Sequence, residues 1–375
     1  MKANHWVACG ALGLGVMSWA GCAGPVTRPD ASPAASAAAS AADPMQLLSR
    51  AEDPTLASVK PPGNPKRNHF HIKPEDLAKL PVPQQPTDLA RALADMQVGS
   101  IEARKEVLKA KVLKDMVYVR GGSFMRGDFA GLMGIEGVSR MTSKQDDKVV
   151  KEITLRDFWI SKHKVTYAEF DVFTDATGRP RTGAAYEGYV RRHPTIPARA
   201  YWHEAKSYCQ WLGQLTGLPI DLPTEAQWEY AARSRGQFFM VATDDGNVAF
   251  GRNVPYSAQA EALSPFNQLS NYPVGLFPAN PLGLHDMSTN GEEWVNDWYA
   301  EDAYSTTSAV NPQGPATGML KVVRSGGVAD SPLIGSSVHR YKEDPHPLEK
   351  DADTGAQVSI PSSYMPALRC SVSPR

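Results

Sequence analysis

Residues 23 to 68 are built mostly from Ala, Ser and Pro, most densely between Pro33 and Ser40. Such a stretch cannot bury enough apolar surface to offset the entropy of ordering it. It removes the leading part of this 375-residue chain from any packed core and leaves the fold to the residues after it. The expected organisation is a signal segment over 1–21, a disordered tether over 22–83, a helical lead-in over 84–114 and one large domain over 115–375. Within the tether, His69 and His71 are the residue type of a metal ligand, but two loop histidines are read as solvated side chains.

The first residues have the pattern of an export signal. Lys2 supplies positive charge, and Trp6 to Gly21 is apolar but short for a membrane span. The segment ends in Trp19, Ala20, Gly21 and Cys22, small residues before a cysteine, as at a bacterial lipoprotein cleavage site. On that reading Cys22 carries lipid, and several acyl chains anchor stably because each buried methylene adds about 0.8 kcal/mol. Ala23 in the next position points to the outer membrane, with the domain facing the periplasm.

Charge and aromatic content narrow the domain further. Basic and acidic residues number 39 and 40, a balance that argues against a nucleic-acid binder. Eight Trp and 30 Gly favour a loop-rich fold with aromatic anchors over a helical bundle. The lead-in carries Leu89, Leu93, Met96, Ile101, Val107 and Val112 at roughly helical spacing, broken near Gly99 and Ser100, which predicts two short helices at the domain edge. Met116 to Val119 is expected to be a strand, with Phe124 to Gly127 as its hairpin partner. Ile153 to Ile160 is a further strand. Thr166 is expected to cap a helix carrying Phe170 and Phe173. Another helix runs from Trp202 to Leu215, burying Trp202, Ala205, Tyr208, Cys209, Leu212 and Leu215. Thr224 and Gln227 form a capping box for a third, ending at Arg233.

Six segments in fixed order carry a family likeness. They are the run around Cys209, Leu222 to Arg233, Pro273 to Gly275 with Asn280 to Leu284, Asn290 to Trp294, Arg324 to Gly327, and Leu368 to Cys370. Together they resemble the formylglycine-generating (sulfatase-modifying) enzyme family over residues 115 to 375. The likeness is imperfect. Asp221 stands where the family has Arg, Glu292 where it has Trp, and Ser325 is inserted into the Arg-Gly-Gly segment. The resemblance implies a compact α+β fold related to C-type lectins, with little regular secondary structure.

It also implies sites. Family members with cysteines matching Cys209 and Cys370 pair them in a disulfide, which suits an exported chain. The family's calcium site would draw on the carbonyls of Ser288, Thr289 and Gly291 and the carboxylate of Glu293, since calcium takes six to eight oxygens. A second family site would use Asn253 and Val254. The family's oxidases bind copper(I) through two thiolates that follow this Gly-Gly pair. Here those positions are Ser331 and Ser336, hard hydroxyls that cannot serve as thiolates, so copper is not expected.

Other chemistries find little support. Ser336, His339 and Asp344 invite a hydrolase triad, but no nucleophile elbow accompanies them. Asp297, beside Trp298 and Tyr299, fits aromatic packing better than acid–base work. A phosphate-binding Gly-rich loop ending in Lys-Ser or Lys-Thr is missing. The expectation is a non-catalytic, periplasm-facing lipoprotein that binds a protein partner in an envelope assembly or neutralises a secreted toxin. The loop from Val328 to Pro366 is its expected contact surface, steered by Lys342, Glu343 and Asp344. The alternatives are an oxygen-dependent oxidoreductase and a calcium-dependent glycan-binding module.

Overall fold

The computed structural model describes residues 43–51, 82–134, 137–182, 192–268, 270–327, 335–350, 355–360 and 365–374. The expected lipidation at Cys22, the histidines His69 and His71, and Ser331 all lie outside these residues. The fold is mixed, 28% helical and 18% strand. Among the described residues no helix is long and apolar enough to cross a membrane.

Helices α1 (Thr87–Asp95) and α2 (Ile101–Asp115) form where the apolar spacing places them. The chain breaks at Gly99, whose φ is +88°, and Ser100 caps α2 by accepting from the amide of Ala103. These helices are not an edge decoration. Leu89, Leu93, Met96, Leu108 and Val112 are buried in the largest apolar cluster, together with Tyr208, Leu212 and Trp294. Part of the expected tether is also seated on the domain. Leu48 joins the same cluster, and Trp159 donates its indole N–H to the carbonyl of Ser49 at 2.7 Å. A short 3-10 turn, Pro44–Leu47, carries Met45 onto that cluster, so this one apolar stretch of the leader has surface to bury.

The expected hairpin between 116–119 and 124–127 does not form. Strand β1 (Met116–Val119) pairs antiparallel with β4 (Phe158–Ser161), and β2 (Gly122–Arg126) with β3 (Lys151–Leu155). The two runs are one long ribbon bent in the middle, and the expected single strand over 153–160 is broken at Arg156 and Asp157. The bend is fixed chemically. Asp157 accepts from the Gly121 amide at 2.9 Å and from the Tyr118 hydroxyl at 2.6 Å. A side chain at Gly121 would meet the carbonyl of Leu155 at 2.2 Å, so only glycine lets the strands cross this closely.

Helix α3 (Tyr167–Thr177) begins at a capping box of Thr166 and Glu169, and α4 (Trp202–Thr216) buries Trp202, Ala205, Tyr208, Cys209 and Leu212 as expected. Leu215 is only half-buried, and Thr216 takes the last inward position. Strand β5 (Ile220–Asp221) leads into α5 (Glu225–Ala232), which starts at the Thr224–Gln227 capping box. Every residue of α5 is buried. Two short helices follow, α6 (Ser257–Leu263) and α7 (Ala303–Thr306), neither of which the sequence pattern announces.

The remaining strands are β6 (Glu293–Trp298), β7 (Lys321–Arg324), β8 (Tyr341–Glu343), β9 (Leu348–Lys350), β10 (Gln357–Ser359), β11 (Ala367–Leu368) and β12 (Ser371–Val372). They complete two four-stranded sheets, ordered β1-β4-β12-β5 and β11-β6-β7-β8, and a β9–β10 ribbon. The final residues thus enter both sheets. Strand β12 lies between β4 and β5, and β11 runs parallel to β6. Between them, Cys370 is bonded to Cys209 of α4 across 161 residues of chain. Both cysteines are fully buried.

Candidate functional site

The segment that would carry the family's chemistry follows β7. Its second half, from Gly335 to Arg340, is held by backbone and buried charge. The Ser337 amide donates to Met240 O at 2.9 Å, and its hydroxyl donates to Phe239 O at 2.6 Å. Arg324, at the end of β7, donates to Ser337 O at 2.6 Å and to Val338 O at 3.2 Å. A Cβ on Gly335 would meet Ser288 O at 2.4 Å, so the segment lies directly against the loop before β6.

Ser336 is buried, 3% exposed, and bridges Val241. Its hydroxyl accepts from the Val338 amide at 3.3 Å, so it closes a turn within its own segment. The triad that Ser336, His339 and Asp344 invite is not assembled by the described contacts. The His339 ring stacks on Tyr341 at 4.2 Å, and Asp344 accepts from the His346 amide at 2.8 Å.

Beneath this segment lies a buried charged hub that sequence reading missed. Glu225 and Glu229 stand one turn apart on α5. Glu225 accepts from Arg126, from Arg324 at 3.1 Å, from Arg340 Nε at 2.6 Å and from the Tyr304 hydroxyl at 3.2 Å. Glu229 accepts from Arg233 at 2.8 Å, Arg324 at 3.2 Å and Tyr304 at 3.1 Å. Burial pushes the Glu225 carboxyl up, but Arg340, Arg126 and Arg324 outweigh it and hold the pKa down at about 2. The signal was present in the sequence: Glu225, Glu229 and Arg233 recur at the spacing of one helical face, in a helix otherwise made of Ala, Trp, Tyr and Gln.

Asp297 is the exception within this hub. One carboxylate oxygen accepts from the Glu225 amide at 2.8 Å. Burial, with the nearby charge of Glu225, pushes its pKa up to about 6. A carboxyl whose folded pKa is raised destabilises the fold where it must be charged. That cost is absent below about pH 4 and complete above about pH 6. Asp297→Asn is therefore expected to raise stability by about 1–3 kcal/mol near neutral pH. The gain should fade toward zero near pH 4, which urea melts at the two pH values would read. An equal gain at both would show that ionisation is not the cause.

Two of the expected calcium donors, Glu293 and the Gly291 carbonyl, are already held by cationic side chains. Both oxygens of Glu293 are already engaged, Oε1 with Arg369 Nη2 at 2.9 Å and Lys164 Nζ at 3.1 Å. Oε2 accepts from Arg369 Nε at 2.7 Å and from Trp228 Nε1 at 3.0 Å. The Gly291 carbonyl accepts from Lys164 Nζ. At the second expected site, Asn253 Oδ1 accepts from the Ala249 amide at 2.8 Å and Val254 O from the Gly251 amide at 2.7 Å. Among the described residues, no group of three or more His, Cys, Asp or Glu could hold a metal ion.

The residues expected to meet a partner stand on an edge. Lys342 and Glu343 belong to β8, the outer strand of its sheet, and with Asp344 they are exposed. The expected loop is therefore partly regular: β8 pairs with β7, and the β9–β10 ribbon comes after it. Tyr201 fastens this region to the head of α4, stacking on His346 at 4.4 Å and donating to Ile360 O at 2.6 Å.

Comparison with known proteins decides the family. The sulfatase-modifying factor enzyme 1-like domain matches residues 103–355. The chain belongs to that family. The match begins inside α2, in keeping with the burial of that helix in the core. A formylglycine-generating enzyme of Thermomonospora curvata is 30% identical over 268 residues, covering 58% of this chain and 83% of that protein. A protein of Chlamydia caviae named serine/threonine-protein kinase pkn1 is 28% identical over 266 residues. The match takes in 65% of this chain but only 38% of that relative's length. In fold, the chain is similar to PvdO from Pseudomonas aeruginosa, with a TM-score of 0.51 and 24% identity over 69% of this chain and 94% of that one.

Proposed function

We propose that this domain is a non-catalytic binding module, carried on a lipid-anchored chain that faces the periplasm. The observation that carries the reading concerns sulfur. The chain has four cysteines, Cys9, Cys22, Cys209 and Cys370, and the two inside the domain are bonded to each other and buried. No thiolate pair remains in the domain to bind a soft ion or attack a thiol. Serines stand at the two family positions, and the one described, Ser336, is buried in a clamped turn. Cys9 and Cys22 belong to the leader, where the second is the proposed lipid acceptor.

The partner is proposed to be a protein of the cell envelope or a secreted toxin, met at the edge formed by β8 and the β9–β10 ribbon. Exposed charges of both signs at Lys342, Glu343 and Asp344 suit steering more than raw affinity. The kinase activity in the name of the Chlamydia relatives is not carried over, because this chain spans little more than a third of their length. The rival reading is an oxygen-dependent oxidoreductase, favoured by the identity to the Thermomonospora enzyme. Purified protein should bind no stoichiometric copper(I) and consume no oxygen above background with a Cys-x-Pro-x-Arg peptide. Stoichiometric copper with peptide turnover would overturn the proposal. Cross-linking in an envelope extract, repeated with Lys342→Glu and Glu343→Lys, reads the partner surface, and capture unaffected by the charge reversals would move the contact elsewhere.

A further inference from the structure

Two of the expected calcium donors are taken because a side chain of this protein already sits among them. We infer that Lys164 supplies, as a built-in ammonium, the positive charge that a calcium ion would bring to Glu293 and Gly291, so the domain is assembled without the metal. An ammonium carries three N–H donors. Here each has an acceptor: the Gly291 carbonyl, Glu293 Oε1 at 3.1 Å and Ser325 Oγ at 3.3 Å. Lys164 and Glu293 are both fully buried.

The third acceptor is Ser325, which stands between Arg324 and the glycine pair Gly326-Gly327. Its φ of +78° is a left-handed conformation that a serine rarely adopts. That backbone places its hydroxyl against the lysine. The route of the chain aims Lys164 inward. Val165 donates its amide to Leu368 O at 2.9 Å and accepts from the Ala198 amide at 2.8 Å, while Thr166 opens α3. Strand β11 on one side and the loop at Ala198 on the other fix the backbone where the side chain enters the core.

Charge makes the exchange exclusive. Glu293 is shared by Lys164 and Arg369, so a divalent cation there would face two positive groups and find one carboxylate with its lone pairs engaged. Calcium needs six to eight oxygens and tolerates no such neighbours without displacing the ammonium. Burial, with the nearby charge of Arg369, holds the Lys164 pKa below the usual lysine value, against the pull of the Glu293 and Asp286 carboxylates toward the charged form. Glu293 answers in kind. Burial pushes its carboxyl up, yet Arg369 and Lys164 hold its pKa down at about 2.

The test uses the full chain. The melting temperature is expected to be the same in EDTA and in millimolar calcium. Lys164→Met is expected to lower it by roughly 5–10 °C, equally in both solutions. Crystals soaked in terbium should show no anomalous peak between the Gly291 carbonyl and Glu293. A wild-type melting temperature that falls in EDTA, a terbium peak at that place, or a Lys164→Met variant as stable as wild type would each overturn the inference. Should Lys164→Met fail to fold, the EDTA comparison and the terbium map decide the matter without it.

Discussion

Replacing Glu225 with Gln is expected to cost about 3–5 kcal/mol or to prevent folding outright. The reason is arithmetic in a dry place. Glu225 is the common acceptor for Arg126, Arg324 and Arg340, all with fully buried side chains. Removing its charge leaves Glu229 as the one carboxylate paired directly with Arg324 and Arg233, and takes from Arg126 and Arg340 their closest counter-charge. The attraction within such a cluster offsets the desolvation of its members only while the signs balance. Local consequences run along the same line. Arg324 holds both Glu225 and the carbonyls of Ser337 and Val338, so losing the carboxylate loosens the 335–340 segment. Urea melts of Glu225→Gln against Glu301→Gln, an exposed control expected within about 0.5 kcal/mol of wild type, would measure the difference. Equal midpoints would show that the hub contributes nothing net.

The second large effect belongs to the disulfide. Cutting the Cys209–Cys370 bond frees a loop of 161 residues in the unfolded chain. Chain entropy sets the loss at up to about 5 kcal/mol, less whatever structure the unfolded state retains. Cys209→Ala with Cys370→Ala should lower the urea midpoint strongly, and wild type in reductant should approach the double variant. The m-value should rise, because the uncrosslinked unfolded state exposes more surface. The effect reaches beyond entropy. Cys370 lies between β11 and β12, so the bond ties to α4 the tail that fills a place in both sheets. A loss below about 1 kcal/mol would mean that strand pairing alone holds the tail.

Much of the helical structure was legible locally. The capping boxes at Thr166 and Thr224, the break at Gly99, and the inward stripe of α4 arise from interactions within a few residues, which sequence displays directly. The pairing of Cys209 with Cys370 came instead from family likeness, and the structure has it. Strand pairing was harder. Residues 116–119 and 124–127 look like a hairpin because nothing nearby reveals that each pairs with a strand well beyond it in the chain, Met116 with Ser161 and Arg126 with Lys151. Average composition marks the leader as a tether and conceals that one short apolar stretch around Leu48 finds a place on the core.

The candidate site divides along the same line. That the domain carries no sulfur beyond one cysteine pair able to act as thiolate is a property of residue identity, and the sequence determined it alone. So did the placement of hydroxyls at Ser331 and Ser336. What fills the expected calcium position could not be found that way. Lys164, the Gly291–Glu293 pair, Ser325 and Arg369 come from four stretches of chain and meet only in the folded domain. Charge pairing inside a protein depends on distance and exclusion of water. Both are set by packing, so only the tertiary structure decided whether Glu293 would meet a metal ion or an ammonium.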